Sequence, residues 1–232
     1  MCGRYTLTSS PAVLAEAFEV DAPADLRPRY NVAPTTLVPC VRVDEGHRRI
    51  VWLRWGLIPV WAKDTSIGTR MINARIETLV EKPAFKGLLD KRRCLVLSDG
   101  FYEWVGEGKA RRPVLLRFSD GHPFAYGGLW TRWQPKEGGE PIESCTIITT
   151  APNAQAARVH DRMPLIFDPR SDTERIERWL DATQKPELAL LQVPRELPGF
   201  HFFPVDKRVG NVRNDDESCA APTGPADTLP GA

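Results

Sequence analysis

The segment CLVLSDGFYEWVGEGKARRPVLLRFSDGHPFAYGGLW, residues 94–130, decides the fold class of this chain. It alternates short runs of β-branched, aromatic and aliphatic residues with small groups of turn-forming residues. Such a pattern predicts antiparallel strands joined by tight turns. The predicted strands cover 94–97, 114–118 and 124–130, and the turns fall at Asp99-Gly100, 106–108 and Asp120-Gly121.

The same pattern continues on both sides of this segment. Further strands are predicted at 38–43, 50–55, 145–150 and 165–167. Because the helical segments are inserted irregularly between strands, we expect an α+β fold. It is a single domain around a mainly antiparallel, barrel-like β-sheet with peripheral helices. Those helices are predicted from apolar spacing at 11–20, 77–90, 153–159, 173–181 and 186–192.

The domain is predicted to span residues 2–214. Within it, the Pro-rich stretch 22–39 is expected to form an ordered, extended loop. Residues 215–232 contain a single large aliphatic side chain, Leu229, among several Pro, Ala and Gly residues. That composition predicts a disordered C-terminal tail, in which Cys219 has no particular role.

Composition excludes several classes of protein. The chain has 232 residues, of which 42% are hydrophobic and 26% charged, and its formal net charge is +1. These values are typical of a globular protein with a real core, and they exclude collagen-like, coiled-coil and largely disordered chains. No run approaches the roughly 20 apolar residues that cross a bilayer, and the N-terminus lacks a signal peptide. We expect a cytoplasmic monomer without membrane association.

Cysteine and histidine spacing argues against a metal site. The five cysteines include no C-x-x-C pair, and the four histidines do not cluster. Reduced thiols are therefore expected, with neither a metal nor another cofactor. The cysteines are Cys2, Cys40, Cys94, Cys145 and Cys219, and the histidines are His47, His122, His160 and His201.

Cys2 is the most unusual residue of the sequence. Removal of Met1 would leave an α-amine with a pKa of about 7.7–8.0 beside a thiol with a pKa of about 8.5. Such an aminothiol condenses with an aldehyde through a Schiff base and closes a thiazolidine ring. It could equally attack an amide, with its own amine as the base. A nearby cation such as Arg4 would increase the thiolate fraction. The alternative is an inert, frayed terminus, although the alternation of Tyr5-Thr6-Leu7-Thr8 predicts a strand there.

Glu103 is the second candidate. It is the carboxylate in the aromatic run Gly100-Phe101-Tyr102-Glu103-Trp104. Alternation places Glu103 on the same strand face as Phe101, where loss of water would raise its pKa and suit it to proton transfer. The alternative is a solvent-facing glutamate on an edge strand.

Two further side chains are candidates for the same chemistry. His160 begins the run His160-Asp161-Arg162-Met163-Pro164, and histidine suits acid–base work at neutral pH. A histidine beside an aspartate is nevertheless often structural. Asn73 lies at the start of a predicted helical stretch, where it could bind an anion or orient a nucleophile. It could also cap that helix, and both roles are compatible.

Basic and aromatic residues are interleaved through the first half of the chain. A groove for single-stranded nucleic acid combines stacking aromatics with phosphate-binding cations in this way. Most tryptophans are core residues, however, so the pattern alone does not decide between a groove and a core. The residues concerned are Arg4, Arg29-Tyr30, Trp52, Arg54-Trp55, Trp61 and Arg75.

Taken together, these segments resemble the SOS-response-associated peptidase (SRAP) family, which processes abasic sites in single-stranded DNA. Seven blocks occur in the order found in that family and extend from residue 2 to about residue 214. They are Cys2-Gly3-Arg4-Tyr5, Arg29-Tyr30-Asn31-Val32-Ala33-Pro34, Trp55-Gly56-Leu57-Ile58-Pro59, Asn73-Ala74-Arg75-Ile76-Glu77-Thr78, Gly100-Phe101-Tyr102-Glu103-Trp104, His160-Asp161-Arg162-Met163-Pro164 and Val209-Gly210-Asn211-Val212.

The resemblance implies a SRAP-like domain with a positively charged groove and a thiazolidine crosslink to an abasic deoxyribose. It implies that Cys2 is the nucleophile, that Asn73 positions its amine and that Glu103 moves protons as the sugar ring opens. His160 would stabilise the opened sugar, or act as an acid–base group when the adduct forms and reverses. The DNA path implied by the resemblance is lined by Arg4, Asn31, Pro34, Arg75 and Arg162, with Trp61 as a wedge against the bases.

Some members of the family carry two adjacent aromatics in that wedge, whereas Val60 and Ala62 flank Trp61 here. The resemblance therefore predicts the catalytic residues more firmly than it predicts recognition of duplex or junction DNA. The family name also implies autoproteolytic removal of the residue before Cys2, a step that a host aminopeptidase could perform instead.

The sequence is thus interpreted as a DNA-repair protein that crosslinks covalently to abasic sites in single-stranded DNA. Two other classes of function remain open at this point. One is an N-terminal-nucleophile cysteine amidohydrolase or peptidase, which would turn over amides without DNA. The other is a single-stranded-DNA-binding module in which Cys2 is inert.

Overall fold

A computed structural model describes residues 2–229 of the chain; Met1 and residues 230–232 lie outside the described range. Strands dominate the described part, and their bounds exceed most of the predicted ones by a few residues. The strands are β1 (Tyr5–Leu7), β2 (Arg29–Val32), β3 (Leu37–Asp44), β4 (His47–Trp55), β5 (Asn73–Arg75), β6 (Arg93–Ser98), β7 (Gly100–Val105), β8 (Arg112–Phe118), β9 (Phe124–Trp133), β10 (Ile142–Thr150), β11 (Met163–Pro164), β12 (Ile166–Phe167) and β13 (Phe200–Pro204).

Five strands close into a barrel. They pair in the order β10-β4-β3-β6-β9, and β9 pairs back onto β10, so the ring is complete. All of these pairs are antiparallel except β4 with β10. The short strands β5, β11 and β12 extend the same sheet from β10 and β9. The predicted α+β fold with a mainly antiparallel, barrel-like sheet is confirmed.

A second, five-stranded antiparallel sheet packs against the barrel in the order β13-β8-β7-β1-β2. The chain enters this sheet at Asp99, between β6 and β7. The buried Asp99 carboxylate accepts hydrogen bonds from Thr6 Oγ1 at 2.6 Å, Thr8 Oγ1 at 2.9 Å and the Ser9 N–H at 2.8 Å. This carboxylate therefore fixes the end of β1 between β7 and β2.

Aromatic side chains join the two sheets into one core. The Tyr5 ring from β1 lies 5.3 Å from the Trp55 ring and 5.7 Å from the Tyr126 ring, both of which belong to the barrel. Phe101 from β7 lies 6.3 Å from Tyr126. Because these rings form a continuous apolar cluster, the described residues make a single domain with the start of β1 at its centre.

Helices are few, short and peripheral. The helix predicted over 11–20 forms over Pro11–Phe18, and the Ser10 side chain caps it by accepting from the Val13 N–H. The helix predicted over 77–90 is wrong, because a 3₁₀ turn covers Ile76–Thr78 and a separate α-helix begins at Pro83. Proline has no backbone N–H, so Pro83 cannot donate the hydrogen bond that would continue a helix from the preceding turn. The α-helices are α1 (Pro11–Phe18), α2 (Pro83–Lys86), α3 (Ala154–Ala157), α4 (Thr173–Leu180) and α5 (Leu188–Gln192).

Two stretches expected to lack regular structure contain it. The predicted loop 22–39 includes β2 and the start of β3. The predicted disordered tail is wrong for residues 215–229, which pack on the domain. Cys219 is fully buried beside Tyr102 and Val209, and the Thr223 N–H donates to the Pro204 carbonyl at 2.8 Å. Composition missed this packing because polar and backbone contacts hold the segment in place.

No helix within residues 2–229 is long and apolar enough to cross a membrane. The described residues also contain no cluster of three or more His, Cys, Asp or Glu side chains arranged to hold a metal ion. All five cysteines are buried free thiols.

Candidate active site

Cys2 lies just before β1 and is buried, with 1% of its surface exposed. The Asn73 side chain holds its backbone, since Asn73 Nδ2 donates to the Cys2 carbonyl oxygen at 2.7 Å. Asn73 is the first residue of β5, opposite Ile147 of β10, and it does not cap a helix. The 3₁₀ turn Ile76–Thr78 is preceded by Arg75, whose side chain makes no capping bond. Of the two predicted roles for Asn73, only the one directed at Cys2 fits this geometry.

The backbone beside Asn73 is anchored firmly to the barrel. The Ile72 carbonyl accepts hydrogen bonds from Trp55 Nε1 at 2.9 Å and from the Ile147 N–H at 3.0 Å. The Asn73 side-chain oxygen, in contrast, is buried without a hydrogen-bond partner among residues 2–229. An unpaired buried acceptor is costly, so this oxygen is suited to receive a hydrogen bond from a group that enters the site.

Glu103 approaches Cys2 from β7. Its side chain is buried, with 2% exposure, and burial raises the pKa of its carboxyl, an effect partly opposed by the charge of His160. The predicted desolvation of Glu103 is therefore confirmed. Burial, followed by the nearby Glu103 charge, also raises the pKa of the Cys2 thiol. Burial therefore favours the neutral thiol, because a thiolate formed there would lose its solvation by water.

Arg4 does not supply the cation that was expected to activate the thiol. Its Nη1 donates to Asn31 Oδ1 at 2.7 Å and to the Val209 carbonyl at 2.8 Å. Burial lowers the pKa of the Arg4 guanidinium. The Arg4 carbonyl accepts from the Tyr102 N–H at 2.9 Å, so both the backbone and the side chain of Arg4 are fixed. Arg4 thus anchors the segment that carries Cys2.

His160 follows α3 and is held through one ring nitrogen. Its Nδ1 lies 3.0 Å from the Arg162 N–H, and the same atom lies 2.7 Å from Asp161 Oδ1. The neutral ring can accept from the backbone, whereas a protonated Nδ1 can donate to the carboxylate. The ring is therefore oriented in either protonation state, as an acid–base group requires.

Asn31 lies inside the fold, whereas the resemblance implies that it lines the DNA path. It is 1% exposed, and its Nδ2 donates to the carbonyls of Val209, Asn211 and Asn214 at 3.1, 3.1 and 2.6 Å. With its oxygen bound to Arg4, the whole amide is occupied inside the fold. The Asn31 side chain thus serves the fold, and a place for Asn31 along a DNA path stays a prediction.

Arg75 and Arg162 flank the end of β10. Arg75 lies opposite Thr149 and is exposed. Arg162 is largely buried, and its Nη1 and Nη2 donate to the two Glu77 carboxylate oxygens at 2.6 and 2.9 Å. Arg162 Nη2 also donates to the Thr149 carbonyl at 2.6 Å. Of the two, Arg75 is the accessible cation.

Pro34 and Trp61 lie on neighbouring turns at the ends of barrel strands. Pro34 is half-buried in the turn between β2 and β3. Trp61 is 57% exposed, and its turn is anchored where Trp133 Nε1 donates to the Ala62 carbonyl at 2.9 Å. Gly56 begins this segment with a φ of +124°, and a side chain there would collide with the Gly68 carbonyl, so only glycine fits.

The structure thus brings Cys2, Asn73, Glu103 and His160 together, and Arg75 lies on the same short strand as Asn73. Sequence reasoning missed Tyr102 and Thr149, whose backbones hold Arg4 and Arg162. No sequence pattern identified them, because a backbone contact can be made by almost any residue type.

Comparison with known proteins identifies the family of the chain. The family model described as SOS response associated peptidase (SRAP) matches residues 1–212. The abasic site processing protein YoqW of Bacillus subtilis is 38% identical over 221 residues, covering 93% of this chain and 96% of its own. The abasic site processing protein YedK of Escherichia coli is 32% identical, covering 96% of this chain and 100% of its own.

Two further matches extend the similarity. The abasic site processing protein HMCES of Gallus gallus is 32% identical over 226 residues, covering 84% of this chain and 66% of its own. A solved structure from Bacteroides thetaiotaomicron superposes with a TM-score of 0.82 at 26% identity, covering 94% of this chain and 98% of its own.

Proposed function

The chain belongs to the SOS response associated peptidase (SRAP) family, and from that premise we propose that it processes abasic sites in single-stranded DNA through a thiazolidine crosslink to Cys2. Relatives that are 32–38% identical over most of the chain are named abasic site processing proteins. Their names support the lesion as the substrate, and the crosslink itself is a proposal from the chemistry of the site.

One observation carries the proposal: Cys2, Asn73 and Glu103 meet in one buried site. Asn73 holds the Cys2 carbonyl and keeps an unpaired oxygen beside it. Glu103 lies close enough for its charge to act on the Cys2 thiol. A nucleophile, an orienting amide and a desolvated carboxyl group are the parts that aldehyde capture needs.

The proposed chemistry begins once Met1 is removed, because an acylated nitrogen cannot form an imine. The Cys2 amine attacks the aldehyde carbon of the ring-opened abasic sugar, and the resulting carbinolamine loses water to give an imine. The thiol sulfur then adds to the imine carbon while its proton passes to the nitrogen. The net reaction joins the aminothiol and the aldehyde and releases one water molecule.

Glu103 moves protons in this sequence. Burial raises the pKa of the Glu103 carboxyl and so favours its protonated form, which can donate to the sugar ring oxygen during ring opening. The carboxylate that results can accept the proton of the Cys2 thiol, which burial keeps neutral. His160 exchanges protons with the opened sugar, and Asn73 Oδ1 accepts a hydrogen bond from the Cys2 amine.

The DNA strand is proposed to run past Arg75, Arg162, Pro34 and Trp61. Arg75 is exposed and free to meet a phosphate, and Trp61 presents a ring to the bases. The Arg4 backbone lines the site, and the Arg4 side chain anchors the segment that carries Cys2. The protein is proposed to act as a monomer.

Removal of Met1 is proposed to occur by self-cleavage or by an aminopeptidase; Met1 itself lies outside the described residues. A variant with an uncleavable N-terminal extension tests the requirement. It should bind single-stranded DNA and fail to crosslink. Efficient crosslinking by the intact extended protein would contradict a role for the Cys2 amine.

The central experiment is a denaturing gel of the protein incubated with an abasic oligonucleotide. The proposed function predicts a shifted band that resists denaturation, with an intact oligonucleotide of the same sequence as the control. A cysteine amidohydrolase would give no band and would turn over amides without DNA. A simple DNA-binding module would bind both oligonucleotides and give no band.

A further inference from the structure

Asp215 lies beyond the residues that the family model matches, which end at 212. Its Oδ1 accepts hydrogen bonds from the Tyr30 N–H at 2.6 Å and the Asn31 N–H at 2.8 Å, and its Oδ2 accepts from Arg29 Nε. One carboxylate from the C-terminal segment therefore binds three consecutive residues of β2.

The two backbone donors belong to a bulge in the β1–β2 pair. Tyr5 lies opposite Val32 and Leu7 opposite Arg29, so Tyr30 and Asn31 together face Thr6. A bulge leaves backbone groups without their regular ladder partners and changes the direction of a side chain. Here Asp215 Oδ1 satisfies both N–H groups, which stabilises the bulge.

The bulge aims the Asn31 side chain at the N-terminal segment. Asn31 Oδ1 accepts from Arg4 Nη1 at 2.7 Å, and Asn31 Nδ2 holds the carbonyls of the 209–214 loop. The same Arg4 nitrogen donates to the Val209 carbonyl at 2.8 Å. Arg4 is thereby fixed two residues from Cys2, by contacts that depend on the conformation of Asn31.

We propose that Asp215 is a positioning residue for the Cys2 nucleophile, acting through the Tyr30–Asn31 bulge, Asn31 and Arg4. This inference rests on the proposed function. Loss of the carboxylate leaves the two bulge N–H groups to find other acceptors. A one-residue change of strand register moves side chains to the opposite face, which would take Asn31 away from Arg4. The Cys2 segment then loses its fixed orientation while the barrel remains intact.

The test compares Asp215→Ala with Asp216→Ala. Asp216 is the neighbouring carboxylate; it binds both terminal nitrogens of Arg208 at 3.0 Å and caps the turn Glu217–Cys219, and within residues 2–229 its side chain makes no hydrogen bond to β2. Single-turnover crosslinking is measured against protein concentration, which separates the maximal rate from the half-saturating concentration. Asp215→Ala should lower the maximal rate about 10- to 100-fold with little change in half-saturation, since small misplacements of reacting groups have effects of this size. Asp216→Ala should stay within about threefold of the wild type.

A conservative variant and a second measurement distinguish positioning from general stability. Asp215→Asn keeps an oxygen acceptor for the two N–H groups, so it should recover most of the maximal rate. Amide hydrogen exchange followed by NMR should show faster exchange at Tyr30, Asn31 and Tyr102 in Asp215→Ala than in Asp216→Ala. The Tyr102 N–H reports on Arg4 because it donates to the Arg4 carbonyl.

The inference is overturned if Asp215→Ala crosslinks at the wild-type maximal rate. It is also overturned if the rate falls only in parallel with global unfolding. A wild-type protein that forms no crosslink counts against the proposed function instead. In that case amide exchange at Tyr102 still decides whether Asp215 positions Arg4.

Discussion

The Asn73 side-chain amide donates to the Cys2 carbonyl over 2.7 Å, while the Asn73 oxygen stays buried without a partner among residues 2–229. One side chain thus holds Cys2, three residues before β1, and carries a free acceptor on the same amide. The amide is rigid because the neighbouring Ile72 carbonyl is bound by the Trp55 indole and by β10. This arrangement defines where an amine on Cys2 has to lie.

Replacing Asn73 with aspartate should slow crosslinking about 100-fold. Asn73→Asp removes the donor to the Cys2 carbonyl and sets a carboxylate against that carbonyl oxygen, so the nucleophile loses its orientation. Single-turnover crosslinking measures the effect, with affinity for an intact oligonucleotide as the control. A normal rate in a folded Asn73→Asp protein would remove Asn73 from the mechanism.

Glu103→Gln should separate activity from stability. The crosslinking rate should fall about 10²–10⁴-fold, the usual loss when a general acid–base group is removed. Because burial raises the folded-state pKa of Glu103, the folded protein binds more protons than the unfolded chain between the unfolded and folded pKa values. The Glu103 contribution to stability therefore declines as pH rises through that window.

Glutamine does not titrate, so Glu103→Gln should be more stable than the wild type at pH 7, with the difference shrinking towards pH 4. Chemical denaturation at several pH values measures this. A variant that is both inactive and less stable at pH 7 would indicate a structural role for the carboxylate.

Cys2→Ser should separate imine formation by the amine from ring closure by the thiol. With Met1 removed, the amine can still form an imine with the abasic aldehyde, but ring closure through a hydroxyl is much less favourable. A crosslink should then appear only after borohydride reduction, whereas the wild type should need no reductant. A heat-resistant, unreduced crosslink formed by Cys2→Ser as fully as by the wild type would refute the thiazolidine.

Arg75→Ala should weaken binding to single-stranded DNA and flatten its salt dependence. One lost phosphate contact reduces the slope of log affinity against log salt by about 0.7 for single strands. Arg49→Ala is the matched control, since Arg49 is an exposed arginine on the β3–β4 hairpin with only a 3.9 Å contact to Glu45. Equal slopes for the two variants would place the DNA path away from Arg75.

Trp61→Ala should reduce DNA affinity by about 1–3 kcal/mol if a base stacks on the exposed ring. Stability should change by less than about 0.5 kcal/mol, because the side chain is outside the core. Fluorescence anisotropy with single-stranded and junction oligonucleotides measures the loss on each. An unchanged affinity for both would show that Trp61 does not act as a wedge.

The sequence predicted the parts of the fold that depend on local pattern. Alternation and turn residues located most barrel strands, and apolar spacing correctly placed the start of α1. The helix predicted across Pro83 failed because a proline interrupts it. β13 was missed because Phe200–Pro204 is short and acquires its register only from β8.

Contacts between distant residues account for what the sequence could not predict at the site. Asn31 was assigned to DNA from its motif, yet its amide is used by Arg4 and the 209–214 loop. The segment from residue 215 was expected to be disordered because of its composition, and an acidic side chain that binds a bulge has no local signature to indicate otherwise. The burial of Glu103, in contrast, followed from its aromatic neighbours and is confirmed.

The hydrogen bond from Arg4 to the Val209 carbonyl joins residues 205 positions apart. During synthesis, Arg4 leaves the ribosome long before Val209 exists, because chains grow at about 5–20 residues per second. The N-terminal segment therefore cannot reach its final position on a nascent chain. On the proposed function, the segment that carries Cys2 is set in place only when translation has nearly finished, so incomplete chains released early would lack a competent site.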